Sequence, residues 1–205
     1  MKWKHYNESS FSVSEDYSDL RRKFSKQLKD ARGDANILRD DKGRPLLLFH
    51  GSKTPTAIDK FGSPSENGAV RTWLSTSIEY ATGFAEGVGK VYVCVASIQT
   101  MDNPDEFIDL TSTRLDCTEP LPTDKYEIED LAFDISSACG CDWHELVEPL
   151  QNSDDLLDLV HNGDFPGFSS ECVAYLESVD GDGSISFGFR NPAKYVKILG
   201  VVSPR

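Results

Sequence analysis

Two short stretches hold most of the residues able to do chemistry. In LLLFHGS (46–52), four apolar residues run into His50, Gly51 and Ser52, the pattern of a buried strand ending on polar groups. In RTWLSTSIEYATGF (71–84), Arg71 and Trp73 precede Ser75, and Tyr80 and Phe84 follow one helical turn apart. Aromatic faces suit a flat cationic ring, and a glycine beside them lets a ligand approach the backbone closely. Period-2 alternation through ECVAYLE sets Glu171, Val173, Tyr175 and Glu177 on one face, so the two carboxylates point the same way.

The same residues also have plainer readings. A histidine often sits where a strand stops, Trp73 and Phe84 are common core types, and Arg71 serves equally as a surface charge. Ser75 or Ser77 ahead of Glu79 makes a good helix cap. CGCDWH (139–144) is metal-like in composition, yet a tetrahedral zinc site needs four ligands and no second Cys/His pair stands nearby. It reads as a turn or helix start. DGDG (180–183) lacks the remaining oxygen ligands of a calcium loop and reads as a hairpin turn.

The elements that must position these residues follow from periodicity. Tyr17, Leu20, Phe24 and Leu28 fall at helical spacing, which predicts one amphipathic helix over 15–32 with a basic outer face. DDKGRP is a turn and LLLF a buried strand. TWLST (72–76) is a short strand, and a capped helix follows through SIEYATGFAEGV. VYVCVASIQ (91–99), ECVAYLE (171–177), SISFGF (184–189) and AKYVKILGVV (193–202) read as strands, whereas NPDEFIDL turns away from the sheet. Residues 125–162 are a second helical region, clearest in DWHELVEPLQ and SDDLLDLVHN and stopped at Asn162-Gly163. Strands with helices set aside from them make an α+β protein.

The order ILRDDKGRPLLLFHGS, loop, RTWLSTSIEYATGFA, VYVCVASI and late acidic strands resembles the ADP-ribosyltransferase family. The likeness is to its diphtheria-toxin and poly(ADP-ribose) polymerase branch and that branch's compact bacterial and phage relatives. It covers about residues 37–100 well and 165–200 loosely. The resemblance implies split, mostly antiparallel β-sheets with flanking helices in a single domain over 1–205. Residues 1–36 would be a helical extension, and 37–205 a core with a helical insertion at about 104–165. It implies transfer of ADP-ribose from NAD, as substrate, to a macromolecular acceptor, protein or nucleic acid, with no metal. His50 would bond the adenosine ribose. Gly51 and Ser52 would hold the nicotinamide carboxamide, and Phe84 or Tyr80 would stack on the ring. Trp73 stands where the family places a tyrosine, Ser75 lies two residues on, and Arg71 is a candidate for the NAD phosphates. His50, Trp73 and either Glu171 or Glu177 would form the catalytic set.

The chain departs from the family's pattern in two places. Trp73 lacks the tyrosine hydroxyl. GSISFGFRNPAKYVKI also resembles the strand that carries the glutamate in compact relatives, and there the matching place falls near Ser184 to Ser186. In that register the glutamate is missing and Glu177 reaches in from the neighbouring strand. The Ser-Thr-Ser stretch echoes the cholera- and clostridial-toxin branch, but that branch needs an arginine where His50 stands, and a Glu-x-Glu motif that is absent. A decayed site kept as a binding or inhibitor module with an acidic docking surface is the alternative. An RNA 2′-phosphotransferase would want arginine-rich determinants that this acidic chain lacks.

Length and charge set the outer limits. The 205 residues suffice for one well-filled core. Asp and Glu outnumber Lys and Arg 34 to 21, a formal charge of −13 that opposes broad, non-specific nucleic-acid binding. Five cysteines and a polar start, MKWKHYNESSFSVSEDYS, imply reduced thiols and no secretory signal. The longest apolar runs are strand-length, far short of the roughly 20 residues a membrane helix needs. The expectation is a monomer with no membrane association, cytoplasmic or delivered into a target cell without a classical signal peptide.

Overall fold

The structure is a computed structural model that describes residues 5–6, 14–62, 71–85, 89–99, 103, 105–111, 120–156, 159–160, 170–176 and 183–202. The helical segment at the start divides into α1 (Ser14–Lys23) and α2 (Ser25–Arg32), with Phe24 leaving helical geometry between them. Tyr17, Leu20, Phe24 and Leu28 are all buried, so the amphipathic pattern is correct although the single helix becomes two. The short strands β1 (His5–Tyr6) and β2 (Arg39–Asp40) pair in parallel, apart from the main sheet.

The main sheet takes β3 (Leu48–Ser52), β4 (Thr72–Ser75), β5 (Lys90–Ala96), β6 (Phe107–Asp109), β7 (Cys172–Leu176), β8 (Ile185–Phe189) and β9 (Val196–Val202), in the order β6-β7-β8-β4-β3-β5-β9. Every pairing is antiparallel except β6 with β7. The protein is therefore α+β with a mostly antiparallel sheet. In place of two split sheets there is one open sheet, whose ladder thins to a single pair, Phe49 with Ser75, between β3 and β4. Two expected boundaries also move. Phe107–Asp109 joins the sheet edge instead of turning away, because Phe107 and Ile108 bury opposite faces against Cys172 and Val173. The final segment opens with a helical turn, α6 (Pro192–Tyr195), which Pro192 favours as a first helical residue.

A parallel neighbour requires a long crossover. The chain between β6 and β7 supplies one that includes α4 (Lys125–Cys139) and α5 (His144–Gln151). Asp124 caps α4 by accepting from the Tyr126 and Glu127 amides, and Gly140 ends it in the left-handed region at φ 68°. This explains CGCDWH: Gly140 closes one helix, and Asp142 accepts from the backbone and ring Nδ1 of His144 at the start of the next. Asn162-Gly163 and most of DGDG lie outside the described residues; Gly183 has a left-handed φ of 71°.

One sheet face is closed by a continuous apolar layer that includes Leu48, Leu74, Phe187, Phe189 and Cys172. The other carries two separate clusters. At the β5 end, Phe49, Val91 and Val93 pack with α1, α2 and α3 (Ile78–Ala85). At the β6 end, Ile108, Val173 and Tyr175 pack with α4 and α5. Between these two helical layers the middle of the sheet is left open, and a cavity forms there. Among the described residues no helix is long and apolar enough to cross a membrane.

Candidate functional site

The cavity has a volume of about 380 Å³, and β3, β4, α3, β7 and β8 wall it. His50, Gly51, Arg71, Trp73, Ser75, Tyr80 and Phe84 all line it, so candidates far apart in the chain meet at one place. Ser52 does not; its Oγ accepts from the Thr54 amide at 3.2 Å. Glu171 does not line it either, and Glu177 lies outside the described residues.

His50 stands where β3 and β4 part. Its Nδ1 lies 2.8 Å from the Trp73 carbonyl oxygen. A carbonyl only accepts, so Nδ1 carries the proton and Nε2 is left as an acceptor. The imidazole thus bonds β4 where the β3–β4 ladder stops. Burial lowers the His50 pKa, outweighing the raising effect of that bond, and the ring is neutral at pH 7. Phe61 meets it edge-on at 5.3 Å between centroids.

Gly51 has a packing reason to be glycine. A Cβ there would stand 1.9 Å from the Ala81 carbonyl oxygen and 2.9 Å from Phe84 Cβ. Its bareness lets α3 lie directly on β3, which brings Tyr80 and Phe84 to the cavity rim. These two rings meet edge-to-face at 5.1 Å and are 43% and 52% exposed. The residues of the Ser-Thr-Ser stretch divide their labour. Ser77 Oγ accepts from the Tyr80 amide and caps α3, Thr76 Oγ1 accepts from the Ile185 amide and ties β8, and Ser75 lines the cavity. The capping reading therefore holds for Ser77, while Ser75 faces the cavity.

The floor runs across three strands in register. Ser75 pairs with Ser186, and Ser186 with Tyr175, so three hydroxyl side chains stand side by side on one face. Each is no more than 3% exposed. One pair along, Trp73 faces Gly188, where a Cβ would lie 2.6 Å from the indole. The missing side chain lets the indole spread across β8 and meet the Tyr175 ring edge-on at 5.4 Å. Sequence assigns neither Tyr175 nor Ser186 to the site, although alternation through ECVAYLE puts Tyr175 on the face that here meets the cavity.

Arg71 closes one end of the cavity. It is 3% exposed, and its Nη1 donates to the Gly188 carbonyl at 3.2 Å. Burial, then the neighbouring Arg190, bring its pKa down to about 10, so it remains charged at neutral pH. Glu171 lies four residues before Tyr175 on the same face, roughly 13 Å along the strand, and its Oε2 is buried without a hydrogen-bond partner. No carboxylate is among the described residues that line the cavity. Burial pushes the thiol pKa of Cys94, Cys139 and Cys172 upward, so these groups are inert at neutral pH.

No family model, no curated protein and no solved structure matches the chain.

Proposed function

We propose that the cavity binds NAD and that the protein is an ADP-ribosyltransferase, cleaving the nicotinamide–ribose bond and passing ADP-ribose to a macromolecular acceptor. The observation that supports this is the convergence of His50, Gly51, Arg71, Trp73, Ser75, Tyr80 and Phe84 on one cavity. In this reading the neutral His50 accepts a ribose hydroxyl at Nε2, and the cationic nicotinamide ring stacks between Trp73 and the Tyr80–Phe84 pair. The Gly51 backbone and Ser75 hold the carboxamide. Glu177, two residues beyond Tyr175, supplies the carboxylate that faces the developing oxocarbenium charge, with Glu171 as the other candidate. The bond that breaks joins the ribose anomeric carbon to the nicotinamide nitrogen. Nicotinamide leaves with the bonding electron pair, and an acceptor nucleophile takes its place and loses a proton.

Ser186 favours a second reading, an NAD-binding module without turnover. The resemblance expects a glutamate near this position, whereas Ser186 puts a hydroxyl at the centre of the cavity floor. Calorimetry with NAD and an assay of nicotinamide release separate the two. Heat with release supports the transferase, and Glu177→Gln then lowers release more than Glu171→Gln. Heat without release under any acceptor supports the binding module. Neither heat nor release refutes both.

A further inference from the structure

The β4–β8 register pairs Thr72 with Phe189 and, continued by one residue, sets Arg71 beside Arg190. Strand β7 extends this row: Cys172 pairs with Phe189, and the Arg190 amide donates to the Glu171 carbonyl at 2.9 Å. Beyond Glu171 comes Glu106, whose carbonyl accepts from the Cys172 amide at 2.9 Å. The row therefore reads Arg71, Arg190, Glu171, Glu106 across β4, β8, β7 and β6. Arg71, at the cationic end of the row, lines the cavity; Arg190 stands next to it on β8, and the anionic half lies farther off on β7 and β6. Gly188 makes room for this, since a Cβ there would stand 2.9 Å from Arg71 Cδ.

Like charges on directly opposed strand positions repel, and Arg190 acts on Arg71 in that sense, helping to lower its pKa. Such a pair is favourable when an anion with several oxygens engages both guanidinium groups, the geometry that suits arginine to phosphate. We infer that Arg71 and Arg190 together form an anion subsite at one end of the cavity, taking a phosphate group of the bound ligand. The inference rests on the proposed NAD reading for its source, the pyrophosphate of NAD; a phosphate carried by the acceptor has the same chemistry. Glu171 and Glu106 continue the row on the side away from the cavity and offset part of its positive charge.

Titration calorimetry on the full chain tests this with three probes: NAD, nicotinamide riboside, which carries no phosphate, and inorganic pyrophosphate. Arg190→Gln is the main variant, because Arg190 is only partly buried; Arg71→Lys is the second, since it keeps the charge but loses the fork. Arg190→Gln is expected to weaken NAD and pyrophosphate binding by roughly tenfold or more, the worth of a charge-assisted bond. It should leave nicotinamide riboside within about twofold, which also reports an intact fold. Arg71→Lys is expected to weaken pyrophosphate in the same sense. Unchanged NAD affinity in Arg190→Gln, or an equal loss for nicotinamide riboside, overturns the subsite while the NAD reading stands. Pyrophosphate binding that depends on Arg190, without any NAD binding to the wild type, keeps the subsite, refutes the NAD reading and assigns the phosphate to the acceptor.

Discussion

His50 does two separable things, one with each ring nitrogen, and side-chain replacement can divide them. Its Nδ1 proton goes to the Trp73 carbonyl at 2.8 Å, which ties β3 to β4 beyond their single ladder pair. Its Nε2 accepts from the ligand in the proposed reading. Asparagine places an amide N–H near the Nδ1 position but puts nothing at Nε2; alanine removes both. Losing the Trp73 bond costs about 1 kcal/mol, and leaving that carbonyl poorly satisfied adds about 1 more, so His50→Ala should destabilise by roughly 2 kcal/mol. His50→Asn should cost under about 1 kcal/mol, because the donor survives. Both variants lose the Nε2 acceptor, and both should bind NAD about tenfold more weakly, the equivalent of one net hydrogen bond. Urea denaturation gives the stability and calorimetry the affinity. The reasoning fails if His50→Asn is as unstable as His50→Ala, or if it binds NAD like the wild type.

Protonation of His50 gives a further check. Its pKa is lowered on folding by burial, so the folded state resists a proton that the unfolded chain takes up near pH 6.5. Stability from this group is full above pH 6.5 and is lost as pH falls from there through the lowered folded value. NAD affinity should fall at the lower of these two points, where Nε2 turns from acceptor to donor, and a titration with no such fall counts against the Nε2 role. Gly51→Ala should destabilise by about 3 kcal/mol in urea unfolding, because its Cβ would meet the Ala81 carbonyl oxygen at 1.9 Å; a loss below about 1 kcal/mol would mean α3 moves freely. Asp40→Ala should cost about 2–4 kcal/mol, since this fully buried carboxylate holds Arg21 at 3.1 Å and Arg44 Nε at 2.7 Å. The figure is discounted because the Arg44 side chain is 32% exposed, and a thermal melt within 2 °C of wild type would contradict it. If the protein is the NAD-binding module without turnover, Ser186→Glu, which sets a carboxylate mid-floor, should raise nicotinamide release at least about tenfold; retained NAD affinity with unchanged release would remove Ser186 from the reacting centre.

Much of this arrangement was legible in the chain because local patterns coincide with tertiary roles. LLLFHGS reads as a buried strand meeting a polar end because Leu46 to Phe49 are fully buried and His50 sits where pairing stops. The α1–α2 stripe was readable for the same reason, since its period matches one buried face. What escaped depends on pairings that sequence order hides. β6 lies beside β7 across more than 60 residues, so in the chain its three residues resemble a turn. The hydroxyl floor likewise needs the register of β4, β8 and β7, and no local signal in SISFGF says that Ser186 will face Ser75. From sequence Gly51 suggests room for a ligand; its neighbours make it first of all room for a helix.

The single ladder pair between β3 and β4 gives the molecule a seam. On one side, β6, β7, β8 and β4 form one stiff leaf, and on the other, β3, β5 and β9 form a second, each knitted by several paired residues. Across the seam run Phe49 with Ser75 and the His50–Trp73 bond. A ligand lodged there touches both leaves, so its binding energy is spent at the line where the sheet would first come apart. Deuterium uptake along this line, faster than in either leaf and slowed by a bound ligand, is the behaviour such a book-like sheet should have.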